Sequence, residues 1–191
     1  ESSSASETVT VYDEPTATVT ANGPLTFCEG GSVVLTSSLG ETYSWVPNGE
    51  TTQSITVTES GTYWVTITDE NGCEGRSALE FVTVNPNPAP IITANGPTEF
   101  CEGGSVQLIG PAGFIYNWSP NGETTQSITV TESGDYQLTV TDEQGCSGES
   151  NIISVTEFDV DIATITANGD TEFCDGGEVT ITSSAGVAYE W

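Results

Sequence analysis

The chain has 191 residues, 35% of them hydrophobic, enough for one large domain or two to three small ones. Asp and Glu number 28 against a single basic residue, Arg76, giving a formal net charge of −27. This balance excludes nucleic acid, whose phosphates need clusters of Lys and Arg, and disfavours anionic membrane surfaces; no stretch reaches the roughly 18 apolar residues of a spanning helix.

Thr, Ser, Val and Ile dominate and helical periodicity is absent, so the expected fold is all-β. Self-comparison shows a period of 73 residues: Ala21-Asn22-Gly23-Pro24, Ala94-Asn95-Gly96-Pro97 and Ala167-Asn168-Gly169-Asp170 recur in step with Trp45, Trp118 and Trp191. More than half of the positions are identical over a full period, and Pro47 to Gly61 and Pro120 to Gly134 share the unbroken run PNGETTQSITVTESG.

In chain order, residues 1–17 read as the last strand and linker of a preceding repeat, because Ser4, Val9 and Val11 align with Ser77, Val82 and Val84. Residues 18–90 form a first full repeat. Thr18 to Asn22 predicts a strand, Glu29-Gly30-Gly31 a turn, Val33 and Leu35 a second strand, and Tyr43 and Trp45 a third. After the break at Pro47-Asn48-Gly49, Ile55 and Val57 alternate in a further strand. Ser60-Gly61 then opens one whose inward side is Tyr63, Val65 and Ile67. Asp69-Glu70-Asn71-Gly72 predicts a hairpin turn, and Val82 and Val84 mark the last strand. Residues 91–163 repeat the series and residues 164–191 begin it a third time, so the chain reads as a window on a longer array.

About seven strands in such a period suit an immunoglobulin-like β-sandwich. Trp45 and Trp118 stand as core residues on the third strand, and Tyr63 and Tyr136, each two residues after a glycine, match the tyrosine corner of that fold. Ser37 and Val65 occupy the places of its two core cysteines, so the usual disulfide between sheets is not expected.

The order FC-[ED]-GG-[SE]-V, Y-x-W-x-PNG, TTQSITVTESG-x-Y, VTD or ITD, and GC resembles the Ig-like and PKD-like repeats of Bacteroidota cell-surface proteins. That group includes giant gliding-motility adhesins and other cargo of the type IX secretion system. The resemblance spans essentially the whole chain. It implies an extracellular, cell-attached, extended protein whose repeats act as spacers or fibre units, and it brings no catalytic residues.

Absence of His and Lys removes His-based nucleophile pairs and metal sites, Schiff-base lysines and Lys-Asn isopeptide cross-links. Paired carboxylates remain: Glu50, Glu59, Asp69 and Glu70 recur as Glu123, Glu132, Asp142 and Glu143, where solvated turns and strand ends are the simpler account. No cofactor is expected apart from calcium, for which Asp69, Asn71 and Asp142 are weak candidates, since the same pattern also makes a good hairpin turn. The linkers Asp13-Glu14-Pro15, Pro86-Asn87-Pro88 and Asp159-Val160-Asp161 differ, which argues against a repeated calcium site between domains. Trp64 lies between Tyr63 and Val65 and is expected to point outward. It is the candidate contact between neighbouring chains or repeats, although its counterpart is Gln137.

Five cysteines cannot all pair within one chain. Cys28 to Cys73 and Cys101 to Cys146 are both 45 residues apart, and Cys174 begins a third pair whose partner falls beyond the fragment. Spacing favours those two bonds within repeats. Immunoglobulin connectivity would put Cys28 and Cys73 at opposite ends of one sandwich, which favours instead a Cys28–Cys146 staple between repeats; free thiols are the third case.

The function expected is a non-catalytic structural or adhesive array, the shaft of an extracellular filament or cell-surface adhesin. The alternative is a glycan- or protein-binding module appended to a secreted enzyme. Expected partners are further copies of the repeat in cis, other chains in a fibre, and surface glycans or proteins; nucleic acid and membrane contact are not expected.

Overall fold

β-Branched residues alternating with polar ones generate the strands, and among the described residues every regular element of the computed structural model is a strand. The structure describes residues 7–160 and 162–186; Ser4, Asp161, Tyr189 and Trp191 lie outside them.

In the first repeat β1 (Val19–Ala21), β3 (Val33–Ser37) and β5 (Ser54–Val57) form one sheet in the order β1-β3-β5. The second sheet runs β2 (Thr26–Cys28), β8 (Glu80–Asn85), β6 (Gly61–Thr68) and β4 (Thr42–Val46), with β7 (Glu74–Arg76) paired to the far end of β6. The second repeat repeats this plan. Its β9 (Thr93–Asn95), β11 (Val106–Ile109) and β13 (Ser127–Val130) make one sheet. The other holds β10 (Glu99–Cys101), β16 (Ile153–Phe158), β14 (Gly134–Thr141) and β12 (Ile115–Ser119), with β15 (Ser147–Glu149) on β14. A last hairpin, β17 (Ile165–Asn168) with β18 (Thr180–Ser183), copies the β1–β3 pairing. The protein is an all-β tandem of immunoglobulin-like sandwiches.

Each complete repeat has eight strand segments, because the first and the last of the six strands read in chain order are both split. The first strand changes sheets: β1 pairs antiparallel with β3, then β2 pairs parallel with β8, placing Cys28 opposite Asn85. FCEGG is therefore a strand end followed by a turn, closed by Gly31 N–H donating to the Cys28 carbonyl at 2.9 Å. The last strand breaks at Ser77. There the Val65 N–H donates to Ser77 Oγ (3.1 Å) and the Ser77 N–H to the Val65 carbonyl (2.9 Å), so a hydroxyl substitutes for a ladder partner. Ser150 does the same for Leu138.

The alternating residues meet between the sheets in two core clusters, one drawn from residues Ala17 to Val84 and one from Ile92 to Val155. Trp45 and Trp118 are at most 1% exposed. Their indole N–H groups donate to the carbonyls of Thr52 (2.9 Å) and Thr125 (2.8 Å), which satisfies the one polar atom each carries inside. Tyr63 O–H donates to the Glu59 carbonyl and Tyr136 O–H to that of Glu132, both at 3.1 Å, the geometry of a tyrosine corner.

Ser37 and Val65 are buried without the disulfide found in many relatives of this fold. The second repeat has Gly110 and Leu138 at these positions, and a Cβ on Gly110 would lie 2.5 Å from Leu138 Cδ2. One repeat combines a larger residue with a smaller one as Ser and Val, the other as Leu and Gly, and each fills the gap between sheets.

Candidate functional site

The chemistry of this chain gathers at the junction between repeats. On the second repeat the β14–β15 hairpin turns on Asp142, whose Oδ1 accepts the N–H groups of Gln144 (3.0 Å) and Cys146 (2.8 Å). Gly145 takes φ of 82°, in the left-handed region that glycine occupies without strain. The Asp142 N–H donates to the Cys146 carbonyl at 2.9 Å, and Cys146 is fully buried. On the first repeat, Cys28 ends β2, and the following turn is tied down when Glu29 N–H donates to the Asn85 carbonyl (2.8 Å) and Asn87 Nδ2 to the Glu29 carbonyl (3.2 Å). These two fixed ends are joined by a disulfide, Cys28–Cys146, with Cα atoms 5.5 Å apart and a sequence separation of 118.

The pairings Cys28–Cys73 and Cys101–Cys146 are thus corrected: the bond runs between repeats. The reason is the register. Gly61 at the start of β6 pairs with Val82, beside the Thr83 that pairs with Thr26, so Cys28 lies past the Gly61 end of β6. Cys73 follows the Thr68 end. A strand of that length spans roughly 25 Å, whereas a disulfide wants Cα atoms within about 7 Å. Cys73, Cys101 and Cys174 are free thiols here, the latter two exposed. The half-buried Cys73 has its pKa pushed above the ordinary thiol value by burial and by the negative charges of Asp69, Glu14 and Asp13.

The linker belongs to the site. Pro88 carries its carbonyl across Gly148, two residues after Cys146, so closely that a Cβ there would overlap it; Pro15 crosses Gly75 in the same way. Sequence reasoning missed these contacts, although the spacing Cys-x-Gly at Cys73 and Gly75 and again at Cys146 and Gly148 carried the signal.

Asp69, Asn71 and Asp142 serve their turns directly. Asp69 Oδ1 accepts from the N–H groups of Asn71 (2.9 Å) and Cys73 (2.8 Å), as Asp142 does one period on. Among the described residues no group of three or more His, Cys, Asp or Glu is gathered as for a metal ion. Glu50 and Glu59 sit near the Tyr63 hydroxyl, and Glu123 and Glu132 near that of Tyr136. Burial first, and then these carboxylates, raise both phenol pKa values above the ordinary 10.0.

Trp64 is half-buried rather than open. Arg76, the chain's one basic residue, stacks over its ring with Cζ 4.4 Å from the centroid, a cation–π contact between β6 and β7. In the second repeat Gln137 and Glu149 stand at these positions, and Gln137 Nε2 donates instead to the Ser150 carbonyl at 2.9 Å. Among the described residues no helix is long and apolar enough to cross a membrane.

No protein-family profile matches the chain, and no curated protein matches it. Among solved structures it is similar to three N-terminal domains of the bacteriophage RB49 highly immunogenic outer capsid protein, with 18% identity, 88% of this chain and 69% of that one covered, and a TM-score of 0.38. It is also similar to the amphioxus IgVJ-C2 molecule, with 16% identity, 69% and 99% covered, and a TM-score of 0.32. Fibronectin(III)-like modules of Clostridium thermocellum CbhA give 11% identity, 73% and 94% covered, and a TM-score of 0.34. The fold assignment rests on the strand order and register of the two sandwiches.

Proposed function

We propose that the chain is a segment of a non-catalytic structural array, the shaft of an extracellular filament or cell-surface adhesin, with repeat units at residues 18–90 and 91–163. The observation that carries this reading is the disulfide between successive repeats, which turns a string of small domains into one covalently braced rod. Such a bond persists outside the reducing cytosol, which supports an extracellular site. A net charge of −27 keeps neighbouring rods soluble and apart. The resemblance of the FCEGG, PNGETTQSITVTESG and GC motifs to Bacteroidota surface repeats supports an adhesin of the gliding-motility, type IX-secreted kind, with further copies of the repeat as its first partners.

Antibodies to residues 18–163, used on intact and on sectioned cells of the source organism and followed by electron microscopy, test this. Labelled filaments projecting from the surface are expected; label confined to the cytoplasm, or attached to a globular secreted enzyme, would overturn it.

A further inference from the structure

We infer that the Cys28–Cys146 bond is a load shunt, which passes tension from the first strands of one repeat to the last strands of the next and keeps the bodies of both sandwiches out of the force path. The inference rests on the reading of the chain as a shaft, because a shaft is pulled along its length. The topology makes it work. Tension entering at Ala17 runs through β1 and β2 to Cys28, crosses the sulfurs to Cys146, and leaves through β15 and β16 at Phe158.

The bond therefore closes a loop of 118 residues that holds β3 to β8 and β9 to β14. At a maximum of about 3.3–3.6 Å per residue, this loop would otherwise release roughly 400 Å of chain. Only residues 17–28 and 146–158 remain in the path, or about 80 Å fully extended. Peeling β1 from β3 and β2 from β8 stops at Cys28, and peeling β16 and β15 from β14 stops at Cys146. The strands bearing Trp45 and Trp118 are never pulled.

Bonds within repeats would act differently. Cys28–Cys73 and Cys101–Cys146 would shield 45 residues each and leave residues 73–101 in the path. Their loss on reduction would release roughly 300 Å rather than 400 Å. Contour length therefore separates the two arrangements.

The test is single-molecule pulling of the full 191-residue chain by handles at its two ends, before and after in-situ reduction of the folded molecule with a water-soluble phosphine. In that reaction the phosphine and one water become phosphine oxide while the disulfide takes up two electrons and two protons to give two thiols. Segments outside the shunt lengthen equally in both states, so the reading is the difference. A gain of roughly 400 Å in accessible contour on reduction is expected, together with the same long contour in the Cys28→Ser/Cys146→Ser double variant. An unchanged contour, or a gain near 300 Å, would overturn the shunt. If the double variant does not fold, the reduced wild-type chain still gives the answer. Surface microscopy reads the shaft assignment separately, so a failed shunt and a failed shaft give different results.

Discussion

Gly148 and Gly75 are where the linker meets the sandwich, and the carbonyls of Pro88 and Pro15 leave no room there for a side chain. Gly148→Ala must push the linker off its seat beside the disulfide. A loss of about 1–3 kcal/mol, the usual cost of overpacking, is expected in urea denaturation, with Gly23→Ala as the control because a Cβ there meets nothing within 4 Å. Ser37 presents the opposite case: its Oγ is buried with no hydrogen-bond partner among the described residues. Ser37→Ala removes a desolvated polar group and should raise stability by about 1 kcal/mol; a loss of that size would mean the hydroxyl is satisfied in solution. The free Cys73 thiol is held protonated by burial and by Asp69, Glu14 and Asp13. Since the thiolate is the reactive species, its alkylation at pH 7 should be slow and should quicken with added salt, which screens the three carboxylates but not the burial.

At the scale of the element, the corner between β5 and β6 is closed by a single phenol in each repeat. Tyr63→Phe removes the bond to the Glu59 carbonyl and should cost about 1 kcal/mol. The pH dependence follows from the raised phenol pKa. Unfolded, the phenol ionises near 10; folded, it holds its proton to higher pH. The folded state thus binds more protons in that window, so stability is full below pH 10 and falls as pH rises above it. Chemical denaturation between pH 9 and 11 should show this fall, smaller in Tyr63→Phe; an equal slope in the variant would remove Tyr63 as its source. The strands themselves were legible, because Val33 and Leu35, Ile55 and Val57, and Tyr63, Val65 and Ile67 alternate with period two and point into one core. The split of the first and last strands was not. Thr26-Phe27-Cys28 pairs parallel with a strand more than fifty residues away, and Ser77 joins a ladder through its hydroxyl, neither of which leaves a local pattern. The disulfide was half legible for the same reason. Spacing of 45 suggested bonds within repeats, while immunoglobulin connectivity set Cys28 and Cys73 at opposite ends and offered the Cys28–Cys146 staple; the register of β2 on β8 decides between them.

At the scale of the whole molecule, the period that built two sandwiches also repeats the half-sites of the staple. Cys101 lies one period after Cys28, and Cys73 one period before Cys146. Gly103 and Gly72 give their turns the same left-handed residue, and Gly104 N–H closes on the Cys101 carbonyl at 2.9 Å as Gly31 does on Cys28. In an array carrying further copies, Cys101 should therefore bond the hairpin cysteine 118 residues onward, the separation of the observed bond. Staples of this kind interleave. A tension line reaching Cys73 runs only the 28 residues to Cys101 before crossing again, while the array advances by two periods. Fully extended, those residues span about 95 Å, against roughly 60–70 Å for two stacked sandwiches whose longest strands reach some 25 Å, so the rod could lengthen by no more than about half even if every core melted. Without staples the same two periods would yield close to 500 Å. Non-reducing peptide mapping of the native array checks the premise: a Cys101 peptide joined to a Gly-Cys hairpin peptide is expected, and a Cys73–Cys101 bond or a free Cys101 thiol would show that the staple is not periodic.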